Sequence, residues 1–298
     1  MILSRNTYLE VDTKKIKSNI QKIIQQYSQY TYYFGVVKAN CYGCDDDTLQ
    51  LTKVISESGC NYLAVATLEE ALKIRKQLKE IPILVLGHIH PEYLETAKEK
   101  SITITIISKE YAKEMMKYNV KGLKVHLKIN TGMNRLGIAK KEELKEVYDI
   151  CSKEELVIEG IYTHIYHAEN REDYLEQVNR FQKITSLIEI SQIPIVHISA
   201  SEALTKYKKE SYINGCRLGI IMYGFTEEKE LQLKSPVKLV SEIIQIHELE
   251  KGEVVGYNGA FKAEEKTRIG VIPIGYADGI IRKIQEDMYI SMIRNIQL

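Results

Sequence analysis

The chain has 298 residues, of which 41 are basic and 40 acidic, for a net charge of +1. This length allows one large domain, or one large and one small domain. The balanced charge gives no electrostatic reason to expect a nucleic acid or an anionic membrane surface as a partner. No stretch approaches the roughly 18 apolar residues of a membrane span, and the N-terminus does not resemble a signal peptide, so we expect a cytoplasmic protein.

Five cysteines, an odd number at irregular spacing, do not make a disulfide framework and favour a reducing compartment. Cys41 and Cys44 form a C-x-x-C pair, but no second pair follows in the chain. We therefore expect no metal site.

The first elements are a short strand and an amphipathic helix. The segment TYLEVD (7–12) is strand-like, and Asp12 is a plausible N-cap for the helix that follows it. Apolar residues recur on one face of that helix: Ile16, Ile20, Ile23 and Ile24.

Eight short apolar segments then alternate with amphipathic helical segments. The eight are residues 33–39, 62–67, 83–87, 102–107, 124–130, 157–165, 194–200 and 216–224. Continuous apolar runs are typical of parallel strands buried on both faces, so the pattern predicts an α/β fold, a (β/α)8 TIM barrel over residues 10–230. A doubly wound sheet is the alternative. It usually has fewer strands and a Gly-rich first turn, whereas the turn after the first barrel strand reads KANCYG.

The pattern changes near residue 235 to strands joined by turns, without a long helix. We expect a C-terminal all-β domain over residues 235–298, with which the first strand (1–9) pairs. Only roughly sixty residues remain, so this domain is expected to be incomplete.

In a β/α barrel the functional site lies at the carboxyl ends of the strands, and phosphate is often bound after the last two. The residues at those positions are polar or cationic and can hold an anion: Lys38, Lys128, Asn130, His164, Ser201, Arg217 and Gly219. A lysine after an apolar strand is either a surface residue or a nucleophile. Ser201 could instead cap the helix that it begins.

Seven ordered segments resemble the alanine racemase family, fold type III enzymes that depend on pyridoxal phosphate. They are VVKANCYG, LKINTGMNRLGI, GIYTHI, HISASEA, CRLGIIMYG, GEVVGYNGAF and IPIGYADG. The resemblance runs from TYLEVD to about Gly279. It implies the interconversion of L-alanine and D-alanine, a cell-wall precursor, by a homodimer with shared active sites.

The resemblance implies a role for each matching residue. Lys38 would bind pyridoxal phosphate covalently and act as one catalytic base. Tyr257 would be the second base, acting in the site of the partner subunit. Arg135 would contact the cofactor's phenolic oxygen and the substrate carboxylate, and Lys128 matches a lysine that is often carbamylated in the family.

The remaining roles concern cofactor binding and substrate entry. Arg217 would face the pyridine nitrogen with support from His164, and Tyr276 would line the substrate entry. The phosphate would be held by four residues: Tyr42, Ser201, Gly219 and Ile220. Racemisation removes a proton from one face of the α-carbon and returns one to the other, which favours two bases on opposite sides.

The sequence departs from the family at three places. Ala200 stands where relatives usually carry asparagine, and Tyr166 and His167 stand where small residues are commoner. The segment KANCYGCD lacks the family's usual histidine–glycine after YG. Relatives also continue well beyond GYADG, and the tail 283–298 does not supply their later substrate and phosphate residues, so we expect weak activity.

Three alternatives stay open. A serine or broad-specificity amino-acid racemase would use the same residues. A basic-amino-acid decarboxylase of the same fold type is disfavoured by GMNRLG and VGYNG, and its cysteine motif is not apparent. A non-catalytic pyridoxal phosphate-binding protein could result from truncation, although the single-barrel relatives of that kind lack the C-terminal β segment and the VGYNG tyrosine.

Overall fold

The computed structural model of the protein describes residues 5–280. The chain divides into two compact units. The larger comprises residues 12–236, and the smaller comprises the described residues before and after that range. The first strand of the chain, β1 (Tyr8–Val11), belongs to the smaller unit.

The larger unit is built around eight parallel strands that close into a barrel. They are β2 (Tyr32–Val36), β3 (Tyr62–Val65), β4 (Ile83–Val85), β5 (Ile102–Ile106), β6 (Lys124–Lys128), β7 (Val157–Tyr162), β8 (Ile195–Ala200) and β9 (Gly215–Leu218). The barrel closes where β9 pairs with β2, with Tyr32 opposite Gly215. The predicted (β/α)8 barrel is confirmed.

Helices connect the strands. They span Thr13–Gln26, Gln50–Glu57, Leu68–Gln77, Leu94–Glu99, Lys109–Met115, Lys141–Lys153, Arg171–Thr185 and Ser201–Lys206. The predicted N-cap of the first helix is confirmed, because the Asp12 carboxylate accepts hydrogen bonds from the backbone N–H groups of Lys14 and Lys15. Ile16, Ile20 and Ile23 are buried as predicted.

A buried asparagine on the same face was not foreseen. The amide of Asn19 donates to the carbonyls of Met222 and Lys234, at 3.0 and 2.8 Å, and its oxygen accepts from the N–H of Lys234. These bonds tie the first helix to the chain that follows β9. They therefore help to hold the segment at the carboxyl end of the last barrel strand.

The smaller unit consists of antiparallel pairs. β1 pairs with β10 (Val237–Val240), β11 (Gln245–Leu249) pairs with β14 (Thr267–Val271), and β12 (Val254–Val255) pairs with β13 (Phe261–Lys262). The tail 283–298, on which the expectation of an incomplete domain rests, lies outside the described residues. Within residues 5–280, no helix is long and apolar enough to cross a membrane.

Part of the barrel interior is an aromatic and aliphatic cluster. Phe34 stacks on Tyr62, with ring centroids 4.5 Å apart, and Val36, Leu84 and Ile195 pack in the same cluster. Beyond this cluster, toward the carboxyl ends of the strands, the side chains inside the barrel are polar. The candidate site lies at that end.

Candidate active site

Lys38 lies just beyond the carboxyl end of β2 and is half-buried. The sequence predicted a strand to residue 39, but the strand ends at Val36. The residues from Ala39 to Tyr42 all have φ between 49 and 59°. Because a left-handed backbone costs an L-residue roughly 1–2 kcal/mol, four in succession form a strained turn that neighbours must stabilise.

A glutamate that the sequence analysis missed provides part of this stabilisation. Glu70 accepts from the N–H of Ala39 at 2.6 Å through one carboxylate oxygen, and from the N–H of Ala66 at 2.7 Å through the other. From the opposite side, the hydroxyl of Tyr223 donates to the carbonyl of Cys41 at 3.0 Å. Glu70 thus links the start of the turn after β2 to the end of β3.

Arg217 lies inside the barrel near the carboxyl end of β9 and is 3% exposed. Its Nη1 donates to Nδ1 and to the carbonyl of His197, at 2.9 and 3.0 Å. Its Nη2 donates to the carbonyls of Thr163 and Ile198 and lies 3.3 Å from Nδ1 of His164. Burial lowers the pKa of Arg217 to about 10, so the guanidinium remains charged at neutral pH.

Four of the predicted site residues carry positive charges that lie close enough to His164 to lower its pKa. Burial, together with the positive charges of Arg217, Lys128, Arg135 and Lys38, lowers its pKa to about 3. The imidazole is therefore neutral at pH 7. Since Arg217 can only donate, Nδ1 of His164 is the acceptor in their contact.

Lys128 is a buried lysine, 8% exposed, at the end of β6. Its Nζ lies 4.3 Å from the ring centroid of Tyr162. Burial lowers the pKa of Lys128 well below its usual range, and the charges of Arg217 and Arg135 add to this effect. None of the ion pairs described within residues 5–280 compensates its charge. Arg135 itself is exposed, in the loop after β6.

The chain after β9 forms a small cradle. Ser201 Oγ lies 3.3 and 3.4 Å from the backbone nitrogens of Gly219 and Ile221, from which it accepts. A Cβ atom at Gly219 would lie 2.8 Å from Oη of Tyr42, so only glycine leaves this space open. The N-cap of the helix that begins at Ser201 is Ala200, so the hypothesis that Ser201 caps this helix is wrong. The contact of Ile221 with the serine was not predicted, and the role of Ile220 in phosphate binding stays a prediction.

Two predicted residues belong to the smaller unit. Tyr257 is 80% exposed and Tyr276 is 68% exposed. Their roles at the barrel site stay predictions.

The departures from the family also lie at the carboxyl ends of strands. In the register of β8 and β9, Ala200 lies opposite Arg217. Tyr166 is half-exposed and approaches Gly132, where an added Cβ would lie 3.1 Å from its ring. Nδ1 of His167 lies 2.6 Å from a carboxylate oxygen of Asp173.

The sequence analysis also missed two buried histidines, His126 and His197. A signal was available for the first, because His126 and Lys128 are two residues apart on a strand and so share a face. Within residues 5–280, no group of three or more His, Cys, Asp or Glu side chains could hold a metal ion.

We expect replacement of Glu70 by Gln to destabilise the protein by about 1.5–3 kcal/mol, because hydrogen bonds to a charged acceptor are lost from the strained turn. Urea unfolding of the cofactor-free chain measures the change. Glu110→Gln is the matched control, since Glu110 is an exposed glutamate in the first turn of another helix. Equal stabilities of the two variants would contradict the role of Glu70.

We expect the stability of the cofactor-free protein to fall as the pH falls from about 6.5 toward 3. In this window the unfolded chain protonates His164 and the folded chain does not, which costs up to about 1.4 kcal/mol per pH unit. Urea midpoints at pH 7 and pH 5 should differ less in His164→Gln than in the wild type. His247→Gln, on an exposed strand, should keep the wild-type difference; an unchanged slope in His164→Gln would contradict the assignment.

Comparisons with known proteins agree on one family. The family model for the N-terminal domain of alanine racemase matches residues 11–227, and that for the C-terminal domain matches residues 236–296. Alanine racemase 1 of Bacillus subtilis (strain 168) is 36% identical over 291 residues, which cover 94% of this chain and 74% of the relative. The chain thus spans about three quarters of the length of this relative.

Solved structures agree with the sequence comparison. The crystal structure of alanine racemase from E. faecalis has a TM-score of 0.85 and 31% identity, and the match covers 95% of this chain and 79% of that one. A histidine racemase from Leuconostoc mesenteroides subsp. sake has a TM-score of 0.78 and 26% identity, over 93% and 77% of the two chains. The resemblance of the seven sequence segments is confirmed, and the chain belongs to the alanine racemase family.

Proposed function

We propose that this chain interconverts L-alanine and D-alanine with pyridoxal phosphate bound at the carboxyl end of the barrel. The observation that carries the proposal is the convergence of Lys38, Lys128, Arg135 and Arg217 on a neutral His164. So many positive charges around one uncharged group favour an anionic ligand. Membership of the alanine racemase family supplies the reaction.

The residues present fit pyridoxal phosphate. Oγ of Ser201, the N–H groups of Gly219 and Ile221 that donate to it, and Oη of Tyr42, which a Cβ at Gly219 would approach to 2.8 Å, lie close together. Hydroxyl and backbone donors that converge in this way suit a phosphate. The bonds of Arg217 described above use Nη1 and Nη2 and leave Nε for an acceptor such as the pyridine nitrogen.

Bound pyridoxal phosphate supplies the electron sink that stabilises the carbanion left when the α-proton departs. Lys38 would hold the cofactor, and its Nζ would exchange a proton with one face of the α-carbon. Oη of Tyr257, contributed by the partner subunit of a homodimer, exchanges a proton with the opposite face. Arg217 keeps its own proton, because a guanidinium does not readily give one up, and so leaves the ring nitrogen unprotonated.

Arg135 and Tyr276 act on the substrate in this proposal. Arg135 is exposed at the barrel mouth, close enough to lower the pKa of both His164 and Lys128 by its charge. A guanidinium there can bind the substrate carboxylate through two parallel hydrogen bonds. Tyr276 lines the substrate entry.

We also propose that Lys128 is carbamylated. A buried lysine whose pKa is well below its usual range, between two arginines, is partly a neutral amine. The neutral Nζ attacks the carbon of CO2 and then loses one proton to solvent, which converts a neutral amine into a carbamate anion. The new negative charge relieves the repulsion with Arg217 and holds Arg135 in place.

A serine or broad-specificity racemase is the second candidate. It is supported by Ala200, Tyr166 and His167, which differ from the family's usual residues at the carboxyl ends of the strands. The solved histidine racemase demonstrates that a neighbour in fold acts on a different amino acid. Chiral analysis with several L-amino acids separates the two candidates.

We expect borohydride reduction of the chain loaded with pyridoxal phosphate to leave a stable adduct on Lys38, located by mass spectrometry. Lys38→Ala should lack the adduct and lose D-alanine formation. Lys109→Ala is the matched control, since Lys109 follows β5 at the same end of the barrel. Tyr257→Phe should keep the adduct but lower turnover roughly 100-fold or more. An adduct on another residue, or full turnover by Lys38→Ala, would overturn the proposal.

We expect ¹³C-labelled bicarbonate to produce a carbamate resonance in the ¹³C NMR spectrum of the wild-type chain. Lys128→Arg, which keeps the positive charge but cannot form the carbamate, should lack this resonance. Its absence from the wild type, or its persistence in Lys128→Arg, would contradict carbamylation.

A further inference from the structure

Two fully buried histidines lie inside the barrel, and the proposed function uses neither of them. His126 is the third residue of β6, and His197 is the third residue of β8. Their rings meet, with Nδ1 of His126 2.9 Å from Nε2 of His197. His197 also accepts from Arg217, as described above, so the pair is connected to the candidate site.

The position of each proton in this pair is dictated by Arg217. A guanidinium can only donate, so Nδ1 of His197 carries no proton. Burial, followed by the charge of Arg217, lowers the pKa of His197 well below its usual range and keeps the ring neutral. A neutral ring has one N–H, so Nε2 of His197 donates to Nδ1 of His126. Burial also lowers the pKa of His126, whose single proton must then be on Nε2.

The Nε2–H group of His126 faces a carboxylate. Nε2 of His126 lies 3.6 Å from Oε2 of Glu159, too far for a hydrogen bond, and has no hydrogen-bond partner among the described residues. A buried donor without a partner is costly unless a charge of the right sign faces it. Glu159 supplies that charge, and we call Arg217, His197, His126 and Glu159 together the histidine relay.

Glu159 is firmly ionised. Its burial opposes ionisation, but the facing His126 ring and the hydrogen bonds from Lys124 and Tyr62 outweigh this effect and hold its pKa below the usual range. The Lys124 ammonium donates to Oε1 at 2.7 Å, and the Tyr62 hydroxyl donates to Oε2 at 2.6 Å. A carboxylate with these partners keeps its charge at neutral pH.

The barrel is shaped to hold the two rings. A Cβ atom at Gly160 would collide with the ring of His126, and one at Gly215 would lie 3.0 Å from Cβ of His197. His197 is also stacked between Phe34 and Tyr162, with ring centroids 4.4 and 4.6 Å away. Neither imidazole can turn over without displacing these neighbours, so the ring orientations are fixed and only the protons can change place.

The histidine relay runs along the barrel. Glu159 is near the amino end of β7, beside Lys124, the first residue of β6, whose side chain is 50% exposed. Arg217 is near the carboxyl end of β9. The relay therefore connects a partly solvated ion pair at the amino end of the barrel to the candidate site at the other end.

We propose that Glu159 is a positioning residue for Arg217: from the other end of the relay, its charge stabilises the direction of the hydrogen bonds through His126 and His197 that Arg217 requires, and so keeps the guanidinium aimed at the cofactor site. The expected effect on cofactor binding rests on the proposed function. The expected direction of the hydrogen bonds does not rest on it.

The direction matters because its reversal puts two donors face to face. If Nδ1 of His126 carried the proton, Nε2 of His197 would accept it and Nδ1 of His197 would be protonated. That N–H would oppose Nη1 of Arg217 at 2.9 Å. Glu159 disfavours this arrangement, because the reversed relay would aim the bare Nε2 lone pair of His126 at a carboxylate.

Two variants of Glu159 separate the effect of its negative charge from the effect of its side-chain size. In Glu159→Gln the side-chain amide can donate to Nε2 of His126, which permits the reversed direction. Glu159→Asp keeps the charge. Glu155→Gln is the matched control, because Glu155 pairs with Lys121 at 2.9 Å on the exposed surface just before β7.

The first measurement is ¹⁵N NMR of the full chain labelled at histidine, at pH 7 and without added cofactor. In the wild type and Glu155→Gln, we expect His126 and His197 both to be neutral with the proton on Nε2. Glu159→Gln should show a second population with the proton on Nδ1, and Glu159→Asp should not. A wild-type proton on Nδ1 of either ring, or an unchanged spectrum in Glu159→Gln, overturns the proposal.

The second measurement is pyridoxal phosphate affinity by fluorescence titration. We expect about tenfold weaker binding in Glu159→Gln and recovery in Glu159→Asp, because a misaligned Arg217 loses one charge-assisted hydrogen bond. Glu155→Gln should bind as the wild type does. Wild-type affinity in Glu159→Gln overturns the positioning role. If the wild type fails to bind the cofactor, the proposed function is overturned. The NMR measurement of the histidine tautomers then still tests the direction of the hydrogen bonds in the relay.

Discussion

A positive charge that is buried with no carboxylate partner among residues 5–280 is the constraint around which the barrel interior is arranged. Arg217 is almost completely buried, and its partners are carbonyl oxygens and imidazole nitrogens. Removal of an unpaired charge from water costs several kcal/mol unless its donors are satisfied. The carbonyls and neutral rings satisfy the donors without neutralising the charge, so the charge stays available to a ligand.

The charge of Arg217 contributes to the other electrostatic features of the site. It helps to lower the pKa of both His164 and Lys128, although burial is the larger cause for each. The result is a region rich in cations, next to a cradle of hydroxyl and N–H groups. Such a site gains stability when an anion binds, which is the physical basis for the phosphate and carboxylate recognition proposed above.

Strain and rigidity accompany this arrangement. The left-handed turn after Lys38 is unfavourable by itself and depends on Glu70 and Tyr223 for its hydrogen bonds. The histidine relay is rigid for a different reason, since close packing at Gly160 and Gly215 leaves no room for another ring orientation. Branched apolar residues usually fill the interior of such barrels. Here part of that filling is a directed chain of hydrogen bonds, which restricts how Arg217 can move.

The sequence by itself determined the number and order of the barrel strands, the N-cap at Asp12 and the carboxyl-end positions of Lys38, Lys128 and Arg217. These features follow from periodicity and capping, which act within a single helix or strand. Only the tertiary structure decided the left-handed turn, the contact of Glu70 with Ala39, the pairing of Ser201 with Ile221 and the path from Arg217 to Glu159. The last three join residues on different strands or loops, and the turn depends on such contacts from Glu70 and Tyr223. All of them therefore require the register and closure of the barrel, which local sequence patterns do not encode.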